Sequence, residues 1–273
     1  MPEGHVIHRL AAALTDRFGG HTVSVTSPQG RFADEAALLD GTDLIESEAI
    51  GKHLFIRFDT TEPAWVHIHL GLIGKLRLAP VAPPRGVVRL RISDDEHAAD
   101  LHGPQWCRAV SVAVRDKVLA ESGPDPLRTD AEPQQGFERL RRSGKSIAAL
   151  LMDQRIAAGV GNIYRAEVLF RHGLRPDTPG REIRRHTWDV IWHDLVDLMA
   201  DGVRDGRIDT VRPEHSPEAQ QRPAREDAHG GEVYVYRREG QPCLVCGTNI
   251  RAGVLEGRNM YWCPRCQRRK HAP

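Results

Sequence analysis

Residues 152–170 read MDQRIAAGVGNIYRAEVLF, and the way this stretch folds decides the architecture of the C-terminal half. Apolar residues recur at helical spacing on both sides of a compact turn, Ala158 to Asn162. Gly159 and Gly161 permit dihedrals that other residues avoid, and Asn162 stands where the second helix would be capped. Exposed amides of such a turn, at the positive end of a helix, make a site for a phosphate oxygen. Most glycine-containing turns between helices are only turns, so this reading depends on the rest of the chain.

Helical periodicity extends outward over about residues 130–205, through QQGFERLRRSG, SIAALLMDQRI, IYRAEVLFRHG and HTWDVIWHDLVDLMADGV. Upstream, to about residue 120, short alternating apolar runs such as HLFIRFD, AWVHIHLGL, KLRLAP, VVRLRISD and AVSVAVRD are split by Gly, Pro and Asp turns. That is the pattern of an all-β sandwich or barrel. A leading helix is expected in HVIHRLAAALTDRF, with Val6, Leu10, Ala13 and Leu14 on one face. SGPDPLRTD breaks the periodicity with two prolines, a linker or helix-entry signal, and a domain boundary is expected there. Residues 206–231 are polar and punctuated by Pro and Gly, the composition of a mobile loop. EVYVYRREGQPC then resumes strand character.

The 273 residues suffice for two domains. Apolar content of 40% and charged content of 27% exclude global disorder and collagen-like or coiled-coil classes. No window approaches the length of a membrane span, and no basic region followed by an apolar stretch opens the chain, so a cytoplasmic protein without a membrane partner is expected. A net charge of +1 does not announce a nucleic-acid partner. Distribution says more: from Arg251 onward stand six basic residues (Arg251, Arg258, Arg265, Arg268, Arg269, Lys270) and one acid, Glu256. Charge runs are usually solvated tails, but this one surrounds a cysteine cluster.

Cys243 and Cys246 form one CxxC knuckle and Cys263 and Cys266 another, with 16 residues between the inner cysteines. Two such knuckles suit tetrahedral thiolate coordination of one zinc ion, and four cysteine ligands leave no open position, so the zinc is expected to be structural. Two disulfides or a redox CxxC are the rivals. Cys107 defaults to a small core residue. His67 and His69 alternate onto one strand face without an evident third ligand, and read as structural.

The chain opens MPEGHVIHRL. Removal of Met1 before a small residue would leave Pro2 with a free secondary amine, a possible nucleophile. Proline near a frayed terminus is the bland alternative.

Four separated stretches, MPEG, GPDPL (123–127), MDQRIAAGVGNIYRAEVLF and GRNMYWCPRCQR, together resemble the formamidopyrimidine-DNA glycosylase and endonuclease VIII family, in the expected order from Pro2 to Arg268. The resemblance implies an α+β fold with three parts. These are an N-terminal β-sandwich catalytic domain with a leading helix (1–122), a helical helix-two-turn-helix DNA-binding domain (123–232) and a four-cysteine zinc-ribbon hairpin (233–273). It implies a bifunctional glycosylase and abasic-site lyase of base-excision repair, a monomer acting on damaged DNA, nucleoid-associated if bacterial. Pro2 resembles the amine that attacks C1′ and forms a Schiff base, Glu3 the acid that assists ring opening, and Lys52 a hairpin lysine that contacts phosphate and helps catalysis. Asn162 and Arg258 resemble the residues that grip phosphates flanking the lesion, and Leu72 the wedge that fills the gap left by a flipped base.

Elementary chemistry agrees. A terminal amine titrates near pH 7.7 to 8.0, far below a lysine at about 10.4. An adjacent carboxyl can shuttle protons, and extruding a base costs a few kcal/mol. Without their context, Lys52 would read as an ordinary hairpin lysine and Leu72 as a core residue. This chain has Val6 and His5 where many relatives carry a second glutamate and a proline, and HGPQWC around Trp106 departs from the family pattern. The opening is closer to the endonuclease VIII branch, so oxidised pyrimidines are the expected substrates. A non-catalytic damage binder, or a generic zinc-ribbon nucleic-acid module, are the alternatives.

Overall fold

The computed structural model describes residues 2–227 and 231–268. Met1, expected to be removed, and Arg269 and Lys270 of the basic run lie outside the described residues. The chain divides into two compact units, Met1–Ser122 and Gly123–Pro273.

The first unit opens with α1 (Gly4–Phe18), whose buried stripe is Ile7, Ala11, Leu14 and Phe18. The expected stripe through Val6, Leu10 and Ala13 is displaced, because the observed one inserts the Phe18 ring completely, and ring burial outweighs that of the smaller side chains. Then come β1 (His21–Thr26), α2 (Ala33–Leu39), β2 (Thr42–Ile50), β3 (His53–Phe58), β4 (Trp65–His69), β5 (Lys75–Pro80), β6 (Val88–Ser93), β7 (His97–His102), β8 (Trp106–Val110) and α3 (Val112–Glu121). Strand order is β5-β7-β6-β1-β2-β3-β4-β8. His21–Val23 pair with β2 and Ser24–Thr26 with β6, so β1 passes from one layer to the other. The result is a sandwich of β2-β3-β4-β8 and β6-β7-β5 joined through β1. Its core gathers Leu54, Ile56, Val66, Ile68, Leu90, Ile92 and Leu101 with the α1 stripe.

AVSVAVRD is strand only as far as Val110; from Val112 it is α3. No residue of α3 is fully buried, and its apolar contact is limited to Val118 and Leu119, which pack partly buried against Ile50, Phe55 and Trp65. Arg115 adds a polar anchor, bonding both carboxylate oxygens of Glu48 on β2.

In the second unit the stretch expected as a linker is packed: Gly123 N donates to Gln154 O and Ala158 N to Pro124 O, each at 2.9 Å. Four helices follow, α4 (Pro133–Arg141), α5 (Ile147–Leu150), α6 (Asn162–Arg171) and α7 (Arg185–Asp205), then a hairpin of β9 (Arg251–Leu255) and β10 (Arg258–Trp262). The helix expected over SIAALLMDQRI stops at Leu150, because the Gln154 side chain takes over the backbone. Its Nε2 donates to Met152 O (3.0 Å) and Val160 O (3.1 Å), and its Oε1 accepts from Gly159 N (2.9 Å). Gly159 uses a positive φ of 82°, whereas Gly161 is extended. Gly161 occupies the cap and Asn162 is the first helical residue, correcting the expected capping role.

EVYVYRREGQPC forms no strand. Val233 to Tyr236 are buried, and the amides of Tyr234, Val235 and Tyr236 donate to the Glu167 carboxylate at 2.6, 2.9 and 2.8 Å. Glu167, fully buried on α6, also accepts from the Thr210 hydroxyl at 2.6 Å. A side chain has replaced the ladder. The stretch read as a mobile loop is tied in where it is described: Ile208 and Thr210 are buried, Arg212 N donates to the Tyr234 hydroxyl (2.9 Å) and Arg222 pairs with Glu232 (2.7 Å).

Glu167→Gln places an amide NH2 against backbone donors and removes the charge that held them. Denaturant unfolding should show a loss of roughly 3 kcal/mol, against about 1 kcal/mol for Thr210→Val.

Candidate active site and nucleic-acid interface

Pro2 is half-buried and Glu3, just before α1, is 1% exposed. Their position follows from how α1 lies on β2. Gly20 N bonds Leu44 O (2.7 Å) and Ser47 N donates to the Thr15 hydroxyl (2.7 Å), so helix and strand run antiparallel. From Thr15 back to Gly4 the helix rises about 16 Å, and from Ser47 to Lys52 the strand covers about the same. The start of the chain therefore comes level with the β2–β3 turn that carries Lys52.

The loops beside that turn emerge at the same end of the sandwich. His53 pairs with His69 across β3 and β4, and His69 with Trp106 across β4 and β8. The β4–β5 loop is closed tightly: Gly74 N donates to Leu70 O (3.0 Å), Gly71 N to His69 Nδ1 (3.1 Å), and Gln105 N to His69 O (2.9 Å). Gly71 has φ +68°, and a Cβ there would lie 2.9 Å from Gln105 Cβ. At the tip stand Leu72, 69% exposed, and Ile73, 80% exposed. One end of the first unit thus gathers Pro2, Glu3, Lys52 and Leu72.

In the second unit, Asn162 Nδ2 donates to the carbonyl of Asn259, next to Arg258, at 3.0 Å. Arg165, 1% exposed, donates to the same carbonyl (3.0 Å), to Ala148 O (3.2 Å) and to Asn162 Oδ1. The start of α6 and the β9–β10 hairpin are thereby fixed together, with Arg258 exposed just after the two-residue turn Glu256–Gly257.

Cys243, Cys246, Cys263 and Cys266 present sulfurs within 4.8 Å of one another. The Cys243–Cys266 and Cys246–Cys263 separations are 3.8 and 3.5 Å. Tetrahedral zinc with bonds of ~2.3 Å sets such edges at about 3.8 Å, so the donor set fits that ion. Gln267 anchors the second knuckle, accepting from Cys263 N (2.8 Å) and donating to Leu174 O (2.9 Å).

Residues 1–110 match the formamidopyrimidine-DNA glycosylase N-terminal domain, residues 122–212 the formamidopyrimidine-DNA glycosylase H2TH domain, and residues 240–269 the zinc finger found in FPG and IleRS. The chain is 48% identical to Endonuclease 8 1 of Mycobacterium tuberculosis, over 98% of this chain and 100% of that protein. It is 32% identical to the formamidopyrimidine-DNA glycosylase of Geobacillus kaustophilus, over 85% and 84%. The fold is that of Lactococcus lactis Fpg in complex with DNA containing N7-benzyl-Fapy-dG, with TM-score 0.77 at 21% identity over 98% of this chain and 100% of that one. The MutM (Fpg) protein of Thermus thermophilus gives 0.75 at 27% identity, over 97% and 98%. The chain belongs to the formamidopyrimidine-DNA glycosylase and endonuclease VIII family of base-excision-repair glycosylases. No helix among the described residues is long and apolar enough to cross a membrane.

Sequence reasoning missed Ile73, Arg165, Gln267 and His53. Only Ile73 carried a signal, an aliphatic between two glycines beside Leu72. His53 completes a cluster that His67 and His69 only hinted at: His53 Nδ1 lies 3.0 Å from His67 Nε2, His67 stacks on Phe55 and His69 on Trp106. Among the described residues only the cysteines bring three or more ligand atoms within 4.8 Å, so the histidines form no such group. Burial, helped by the charges of His69 and Lys52, lowers the His53 pKa to about 4. Burial, and then His53, lowers that of His67 to about 3.

Both groups bind protons more readily when unfolded, so their contribution to stability is present above pH ~6.5 and is lost as pH falls toward 4. Unfolding midpoints measured across that window should fall steeply for the native chain and less steeply for His67→Gln.

Proposed function

We propose that the protein is a bifunctional DNA glycosylase and abasic-site lyase acting on oxidised bases, preferentially pyrimidines, in damaged DNA. The observation that carries this reading is the arrival of Pro2 and Glu3 at the end of the sandwich that holds Lys52 and the Leu72 loop. With Met1 removed, the Pro2 nitrogen attacks C1′, the glycosidic bond breaks and the base leaves with a proton. The C1′–O4′ bond then opens with a proton going to O4′, and because the amine is secondary the product is an iminium that keeps its positive charge and draws electrons from C2′. Loss of a C2′ proton then expels the 3′ phosphate by β-elimination, and a second elimination expels the 5′ phosphate. Glu3 assists ring opening and later proton transfers, and its burial holds the carboxyl away from competing water.

Lys52 places a cation at the backbone of the damaged strand, and Asn162 and Arg258 hold the flanking phosphates. Arg165 keeps those two aligned through the Asn259 carbonyl. Leu72 fills the gap left by the extruded base, and Ile73 beside it enlarges the apolar plug. One zinc ion, structural in role, holds the hairpin that carries Arg258. The protein acts as a monomer in the cytoplasm. The preference for oxidised pyrimidines rests on the endonuclease VIII-like opening and on the 48% identity to Endonuclease 8 1.

Single-turnover cleavage of duplexes carrying an oxidised pyrimidine, 8-oxoguanine or a preformed abasic site tests the proposal. Cleavage of the first and third, with phosphate left on both sides of a one-nucleotide gap and rates lower by about 10²-fold or more in Glu3→Gln, is expected. Tight binding to the abasic duplex without cleavage would make the protein a damage binder.

A further inference from the structure

A second charged surface lies on the helical unit, outside the groups assigned above. The turn after α4 and the segment before α7 are stitched together: Arg181 N donates to Ser143 O (3.0 Å), Gly180 N to Lys145 O (2.8 Å) and Ile147 N to Thr178 O (2.7 Å). Gly180 permits the approach, since a Cβ there would lie 2.4 Å from Leu150 Cδ1 and 2.5 Å from Leu140 O. The stitching brings Arg141, Arg142, Lys145, Arg181, Arg184 and Arg185 onto one surface, all of them exposed or half-exposed. Arg141 and Arg185 lie 5.8 and 5.6 Å from the same Phe137 ring, and a Cβ on Gly144 would be 3.7 Å from Arg181 Nη1.

Two features set this patch apart from an ordinary solvated face. Many arginines elsewhere are paired, as Arg91 with Asp100, Arg171 with Asp194 and Arg204 with Asp201 and Asp205. Among the described residues no carboxylate pairs with Arg141, Arg142, Arg181 or Arg184. The cations also crowd the start of α7, where Arg184 is the cap and Arg185 and His186 follow; no acid stands in the first turn, and Arg185 pairs with Asp189 in the next (2.7 Å). The helix macrodipole favours negative charge there, so the arrangement costs stability. It is compensated when phosphates occupy the surface. Lys145 reaches Glu256 in the β9–β10 turn (3.4 Å), two residues before Arg258, so the patch continues from the hairpin assigned to the phosphate grip.

We propose that this face binds the phosphate backbone of duplex DNA beyond the lesion, lengthening the footprint and supporting retention on undamaged DNA between encounters. The inference rests on the DNA-binding role proposed above and adds a surface to it.

The test measures Kd against salt concentration for the full chain on two abasic-analogue duplexes, one of ~10 bp and one of ~30 bp. The triple variant Arg141→Gln, Arg142→Gln, Arg184→Gln is compared with its Arg→Lys counterpart. On the long duplex the Gln variant should show a log–log slope shallower by about 2 to 3, at about 0.9 per lost phosphate contact, with the Lys variant restoring it. On the short duplex the slope and excision rate should be unchanged. An unaltered slope on the long duplex would overturn the proposal, as would an equal change on both. If the native chain neither prefers the abasic duplex nor cleaves DNA, the glycosylase reading fails, while the slope comparison still judges the patch.

Discussion

The Glu167 carboxylate, buried on α6 and holding three consecutive backbone amides and a threonine hydroxyl, organises the second unit. An ionised carboxylate inside a core is tolerated only when its lone pairs are filled by donors, and here four donors fill them. The same helix puts its other polar groups to similar use. Asn162 and Arg165 at its start hold the zinc hairpin through one carbonyl, and Arg171 at its end binds Asp194 on α7 and the carbonyl of Thr210. Burial pushes the Asp194 carboxyl up, but hydrogen bonds from His172 and Arg171 outweigh it and hold the group at about 2. A ten-residue helix thus serves as the frame on which hairpin, irregular chain and long helix are hung.

In the first unit the corresponding constraint is direction. Because α1 runs back along β2, the start of the chain is carried to the hairpin tip, and a terminus that would otherwise fray is placed on a core. The reacting groups assigned to this unit gather at one end of the sandwich through register and chain direction.

The parts of the fold legible in the sequence are those set by periodicity and by ligand spacing. The runs HLFIRFD, AWVHIHLGL, KLRLAP and VVRLRISD became β3 to β6, although β3 and β4 bury consecutive residues rather than alternate ones, and the cysteine knuckles met as their spacing required. The parts that were not legible share a cause: one side chain overriding the local backbone preference. Gln154 ends a helix whose apolar pattern continues, Glu167 takes amides that β-branched and aromatic residues would give to a strand, and Arg115 helps dock a helix with no fully buried residue. Each partner is distant in sequence or set by the turn itself, and no local pattern announces it. At the candidate site, Pro2, Glu3 and Lys52 were picked out by the family resemblance rather than by their residue types alone, whereas Arg165 and Gln267 were hidden because their role is to bond carbonyls far along the chain.

The central claim is that the amine of Pro2 becomes covalently joined to the sugar. Borohydride reduction during reaction with an abasic duplex, followed by mass spectrometry of the N-terminal peptide, tests it most directly. The account predicts a stable adduct on the nitrogen of Pro2 in chains lacking Met1. An adduct on Lys52 or another side chain, or none in chains shown to begin at Pro2 and to bind the duplex, would contradict it.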